Sequence, residues 1–348
     1  MRKIASGAAL LVLACAPPLH AQPVPPPTTP LAGPSAQPRA PLPFEIIRLD
    51  PALDAIIAPG TQLDTIATVT GLNSEGPLWH EGRLWVSDQR GGRIYAIGLD
   101  GKVETIAENA GGPIDPAIRV NQGPNGELAY KDGGIIVMRQ GLRDVGHRSK
   151  DGTFSSFLPD YQGKRFNSPN DMVFGPDGTL WFTDPTFSVP QGVQRDLPYA
   201  AVFRFRNGTL SPVITDMNLP NGIALSPDGR ILYVNNSRPE MFVRAYDVAR
   251  DGTLSNPREL VRFPANPDLR GVPDGMKVDS KGNIWTTGPG GITILSPAGV
   301  ALGRIQLPVN STNIAFGDDF YSVFFTSGST IYRIRSLVKG QIPKYFTR

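Results

Sequence analysis

The chain has 348 residues, 40% of them hydrophobic, enough for one large domain or two ordinary ones with a sizeable core. Its formal charge is only +3, and Arg2 and Lys3 at the extreme N-terminus supply part of it. With no basic run and no basic stripe interleaved with aromatics, nucleic acid is excluded as a partner. The single cysteine, Cys15, excludes disulfides and thiol chemistry from the folded domain.

Residues 1–21 read as a secretory leader. Met1-Arg2-Lys3 is a basic start, and Ile4 to Ala16 is an apolar stretch too short to span a bilayer. Cleavage after Ala21 would release a soluble periplasmic protein. Alternatively, Val12-Leu13-Ala14-Cys15 resembles a lipobox and would leave Cys15 lipidated, a lipid anchor rather than a span. Residues 22–43 form a Pro-rich tether that can build no core. Residues 44–348 are then one domain.

Within that domain six segments share one grammar, starting at Ser74, Gly123, Ser168, Leu219, Val272 and Ser311. Each has a small polar or acidic residue, a short apolar strand, a tight turn and a second strand. The residues at the shared register are Glu75, Asn125, Asn170, Asn221, Asp274 and Asn313. In the first five segments a turn glycine follows seven or eight residues later: Gly82, Gly133, Gly178, Gly229 and Gly282. The sixth segment has Asp318-Asp319 instead. Further hairpins, such as RIYAIGLDGKV and AVFRFRNGTL, complete four strands per unit. Repeats of roughly 40–50 residues with four strands predict an all-β, six-bladed β-propeller. The last unit runs out after three strands, and the segment from Gln62 to Val69 can supply its outer strand and close the ring. A β-sandwich does not explain the fixed register of six units.

In a propeller, residues at one register of the inner strands surround one end of the channel. Here that ring is Glu, Asn, Asn, Asn, Asp, Asn, an all-oxygen set with two acids. Such groups are costly to bury together without a positive charge. A hard divalent cation, calcium first, suits them. Magnesium and zinc are alternatives, although only His20, His80 and His147 are present and no His/Cys cluster exists. Any single Asn-Gly or Asp-Gly could be a plain turn. Glu75-Gly76-Pro77, a poor turn sequence at the same register, makes the joint pattern point to a metal. Asp184, Asn235 and Asn236 end second strands. With Asn125 and Asn313, they are read either as substrate contacts or as groups satisfying turn backbone. Trp79, Trp85, Trp181 and Trp285 read as packing between blades, and His80 and His147 as structural.

Several stretches carry a family resemblance: Ser74-Glu75-Gly76-Pro77-Leu78-Trp79, Gly163-Lys164-Arg165-Phe166-Asn167-Ser168-Pro169-Asn170-Asp171, Trp181-Phe182-Thr183-Asp184-Pro185, Pro220-Asn221-Gly222 and Pro273-Asp274-Gly275-Met276. Over residues 61–335 the chain resembles the senescence marker protein/regucalcin/gluconolactonase family of six-bladed propellers. The resemblance implies one divalent metal on Glu75, Asn170, Asn221 and Asp274, with Asp274 as acid/base and Asn170 also touching substrate. Arg165 resembles a substrate-contacting Arg. Where bacterial members carry an Asn-Arg-Arg element, this chain has Gly141-Leu142-Arg143-Asp144. Related diisopropylfluorophosphatase and paraoxonase propellers hold a second, deeper calcium with a His near the position of Asn313-Ile314. No His stands there, so one metal is expected.

The function expected is metal-dependent opening of a gluconolactone-like sugar lactone to its aldonic acid. The metal would act as Lewis acid, and Asp274 would serve either as general base or as a ligand that orients water. Two rivals are a broader lactonase or organophosphate hydrolase of the same type and a non-catalytic, ligand-binding periplasmic propeller. The sequence leaves the oligomeric state open.

Overall fold

The computed structural model describes residues 42–346, apart from 265 and 267. The predicted leader, Cys15 and most of the predicted tether lie outside the described residues. Leu42 and Pro43, placed in the tether by sequence, are tied to the domain. The Leu42 N–H donates to the Pro308 carbonyl, and the Gln306 amide donates to that of Pro43.

Six antiparallel sheets form the propeller, each an up-and-down meander of four strands except the fifth, which has five. The innermost strands of blades one to six are Ser74–His80, Pro124–Ala129, Met172–Phe174, Pro220–Leu225, Met276–Val278 and Asn313–Gly317. Blade six is completed as the sequence predicts, by Asp64–Thr68 pairing antiparallel with Thr330–Arg335. The sequence reading missed the extra strand of blade five. There Glu45–Arg48 adds to Ala301–Gln306. A 3-10 turn, Pro51–Ala55, follows it and drives the fully buried Leu53 into the cluster holding Trp285 and Ile305.

Burial falls from axis to rim, as the residue types dictate. Ser74–His80 is buried throughout, whereas the rim strand Leu254–Phe263 is mostly exposed. That rim strand carries Pro257, Arg258, Glu259 and Arg262. Proline and charge on an edge strand discourage further strands from adding. Each inner hairpin turns through the left-handed region. Gly82, Gly133, Gly178, Gly229 and Gly282 have φ between 69° and 87°. The sixth turn has no glycine and uses Asp318 at 59° and Phe320 at 64°.

The tryptophans wedge between blades. Trp79 stacks on Phe324 of blade six with centroids 5.5 Å apart, and Trp285 meets Phe316 edge-on at 5.6 Å. Trp181 packs with Ile223 and Leu232 of blade four, and Trp85 with Ile135 and Val137 of blade two. His80 packs edge-on against Trp85 at 4.6 Å, and His147 pairs with Asp132 at 2.8 Å, so both are structural.

After the last strand the chain crosses beneath the turns that end the inner strands. The Lys339 carbonyl accepts from Ser280, Gly340 donates to Phe320, and the Gln341 amide donates to Leu225 and Val278. Tyr345 packs on Phe174 and Tyr130, and Phe346 on Phe320 and the Trp79 cluster. The tail therefore reaches blades two to six directly and packs against the cluster that joins blade six to blade one. Removing residues 337–348 is expected to cost about 2–4 kcal/mol, from the apolar surface it covers. Chemical denaturation checks this. An unchanged midpoint would show that the tail contributes nothing to closure.

Candidate active site at the channel mouth

At the axis, neighbouring blades join through their main chains. The Gly126 N–H donates to the Asn170 carbonyl at 2.9 Å, Gly222 to Asp274 at 2.7 Å, and Gly275 to Thr312 at 2.7 Å. The Thr312 hydroxyl donates to the Ser74 carbonyl at 2.7 Å and closes blade six on blade one. In four of the six blades glycine follows the ring residue, because nothing larger fits there. A Cβ on Gly76 would stand 2.0 Å from the Asn125 carbonyl oxygen, and one on Gly222 would stand 2.2 Å from that of Asp274. This tight approach brings the ring side chains together.

The ring residues are Glu75, Asn125, Asn170, Asn221, Asp274 and Thr312, which corrects the placement of Asn313. Asn313 pairs with Thr326, as Gly222 sits beside Asn235 and Asp171 beside Thr183. It therefore stands one step past the ring, at the register of Asp171. The two share a local motif, each accepting the N–H of the next residue on its own Oδ1 at 2.8 Å. The shift was legible in the sixth turn. Aligning Asp319 with Asp228 and Asp177, rather than counting from Asn313, puts Thr312 in the ring.

Four of the ring side chains are fully enclosed: Glu75, Asn125, Asn170 and Asn221 are at most 3% exposed. Asp274 is half-buried and faces a recess lined by Arg238, Val272, Asn310, Ser311 and Thr312. The two acids lie in each other's field. Burial, and then the charge of Asp274, push the Glu75 carboxyl well above the usual range, against the Gly76 N–H that donates to it at 2.6 Å. Burial also raises Asp274, to about 7, against hydrogen bonds from the Asn221 and Glu75 side chains. The charge of Asp171 raises both.

The amide oxygens of Asn170 and Asn221 are buried and make no hydrogen bond, and neither does either polar atom of the Asn125 amide. Each unmet buried group costs about 1–3 kcal/mol. The Asn221 Nδ2 is held by Ser237 Oγ at 3.1 Å, whose hydroxyl donates to the Pro273 carbonyl, so the Asn221 oxygen stays free. Two carboxyls and two free amide oxygens make an acceptor-rich pocket in which neither acid has an ion-pair partner among the described residues, although the charge of Arg238 acts on Asp274. That donor set fits a hard cation. No group of three or more His, Cys, Asp or Glu side chains suited to a metal occurs among the described residues, so a cation here would depend on the amides.

Two expected substrate contacts stand elsewhere. Asp184 has no exposed surface, and its oxygens accept the Asn167 N–H and amide and the Ser168 N–H. It anchors the loop that delivers Asn170 and does not face the recess. Arg165 is on the rim, its side chain 60% exposed and paired with Asp196 at 3.4 Å. Beneath it Arg143 is buried and donates to the Phe166 carbonyl at 2.6 Å, bracing the same loop. Asn235 braces the ring, accepting the Gly222 N–H and donating to the Asp274 carbonyl at 2.7 Å. Asn236 caps the Leu219 N–H at 2.9 Å. The sequence reading passed over Asp171 and Lys277, both of which reach the channel. The Lys277 ammonium is 3.6 Å from Asp171 and 3.5 Å from the Asn313 Oδ1.

Residues 73–329 match the family model described as SMP-30/Gluconolactonase/LRE-like region. A gluconolactonase from Zymomonas mobilis is 32% identical over 311 residues, covering 85% of this chain and 87% of that one. A pentonolactonase from Haloferax volcanii is 30% identical, covering 73% and 80%. Among solved structures, a gluconolactonase from Xanthomonas campestris superposes with a TM-score of 0.73 at 27% identity, covering 86% of this chain and all of that one. A calcium-binding regucalcin from Agrobacterium tumefaciens shares the fold, with a TM-score of 0.63 at 17% identity over 81% and 99% of the two chains. The ring of polar residues at the axis and these matches agree, and the chain belongs to the SMP-30/gluconolactonase/LRE-like family.

Proposed function

We propose that the protein is a divalent-cation-dependent lactonase acting on sugar lactones. One observation carries the reading. Two carboxyls, Glu75 and Asp274, share a pocket with the buried, unpartnered amide oxygens of Asn170 and Asn221. Those four residues would hold the ion. When bound, a divalent cation supplies Lewis acidity to an ester carbonyl and offsets the negative charge that hydrolysis develops there.

The chain's own residues suit the remaining steps. Asp274 alone of the four borders the recess, which supports its carboxylate as the group that takes the proton of the attacking water. Water adds to the lactone carbonyl carbon, the ring C–O bond breaks, and the ring oxygen leaves as a hydroxyl. Asn310 offers its amide to a polyol, while the hydroxyls of Ser311 and Thr312 beside it are tied to the backbone of blades six and one. The exposed Arg238 at the same recess would meet the carboxylate that ring opening creates. The named gluconolactonase and pentonolactonase relatives favour an aldonolactone. The leader in residues 1–21 supports export, and the mass of the mature chain distinguishes cleavage after Ala21 from lipidation at Cys15.

Chelation is expected to abolish hydrolysis of gluconolactone and added calcium to restore it. Glu75→Gln should lower kcat/KM by about 100-fold or more together with ion content. Full activity in chelator would overturn the metal reading. Asp274→Asn separates two roles. If turnover falls at normal ion content, Asp274 is a base, whereas if both fall it is chiefly a ligand. Aldonolactones should outrun aliphatic lactones and aryl esters in a direct comparison, and the reverse order would refute the sugar-lactone assignment.

A further inference from the structure

One register deeper than the ring, four of the six inner strands carry glycine: Gly76, Gly126, Gly222 and Gly275. The other two carry Asp171 and Asn313, both buried. Each is pinned by one oxygen to the next N–H along its strand. The Asp171 Oδ2 accepts no hydrogen bond and is enclosed. Its ionic partner is Lys277 at 3.6 Å, in blade five, two blades on from blade three. The same ammonium lies 3.5 Å from the Asn313 oxygen in blade six. Lys277 thus spans the channel directly below the pocket formed by Glu75, Asn170, Asn221 and Asp274.

The charges explain why such a group is needed. Three carboxyls, Glu75, Asp171 and Asp274, act on one another in this channel. Like charges held this close in a water-poor interior repel strongly. Lys277 offsets one of them, which leaves two formal charges, the number that one divalent ion neutralises.

We propose that Lys277 is the channel's resident cation and limits it to a single divalent ion. Its ammonium occupies the space where the Asp171 carboxylate and the Asn313 carbonyl would otherwise bind a second hard cation. This rests on the reading of the outer pocket as a divalent-ion site. Lys277 is a positioning residue. Through Asn313, whose side chain hydrogen-bonds Glu75, it fixes the acid above it.

The test counts ions. Wild type, Lys277→Met and Lys277→Arg are saturated with calcium, passed through a desalting column and analysed for calcium per chain, with calorimetric titration in parallel. One ion is expected for wild type and Lys277→Arg, and two for Lys277→Met. In the Lys277→Met background, Glu75→Gln should remove one ion and leave the other. An unchanged count in a folded Lys277→Met chain overturns the proposal. The difference between variant and wild type is what reads the lysine. Wild type without any ion defeats the outer-pocket reading, yet an ion gained by Lys277→Met still upholds this one. Should Lys277→Met fail to fold in chelator, refolding in calcium is expected to rescue it. Failure even in calcium, while Lys277→Met combined with Asp171→Asn folds, would show a charge pair with no latent ion site and would overturn the proposal.

Discussion

Around the axis the blades touch main chain to main chain. Gly126, Gly222 and Gly275 each give an N–H to a carbonyl of the next blade at 2.7–2.9 Å. No side chain larger than hydrogen fits at these links, because an added Cβ would fall within 2.0–2.6 Å of the neighbouring blade. Everything at the channel mouth follows from that closeness. Inner strands of neighbouring blades begin within a few ångströms of each other all round the ring, so their first side chains converge whether or not they attract. Where two are acids they are also buried, and burial first, joined by the charge of Asp171, makes Glu75 and Asp274 bind protons more readily. A protein that keeps such a cluster retains a strained arrangement for which a cation is the natural counterpart.

The residues around the ring hold it rather than act in it. Asp184 grips the Asn167-Ser168 loop, Arg143 braces Phe166, Ser237 orients the Asn221 amide, and Asn235 ties Gly222 to the Asp274 carbonyl. Most of these bonds join side chain to backbone, so the supporting shell fixes main-chain position first and side-chain aim second. Ligands on rigid strand starts, backed by such a shell, are held more precisely than ligands on free loops.

Much of this was legible in the sequence because the repeats keep a strict phase. Glu75, Asn125, Asn170, Asn221 and Asp274 all precede a small or acidic residue and an apolar strand, and each has a glycine turn at a set distance. The sixth repeat lost its turn glycine to Phe320, and the count from Asn313 slipped by one, which hid Thr312. Asp184 looked like a site residue because it ends a strand beside the ring. Nothing local reveals that its oxygens are already taken by the Asn167-Ser168 loop. Lys277 was invisible for a different reason. In Met276-Lys277-Val278 it reads as an ordinary outward-facing strand residue, and only the closed ring brings Asp171 and Asn313 to its ammonium. The strand Glu45–Arg48 has no counterpart in the repeat, so no periodicity announces it.

The tail beneath the inner turns changes what kind of passage the axis is. With Gln341 bonded to Leu225 and Val278, and Tyr345 and Phe346 wedged under the remaining blades, the far mouth is strapped across. The passage is a well, not a pipe. Whatever settles at the rim stands above whatever lies deeper, and the deeper occupant leaves last. In such a geometry whatever enters by the open mouth must leave by it, in the reverse order of entry.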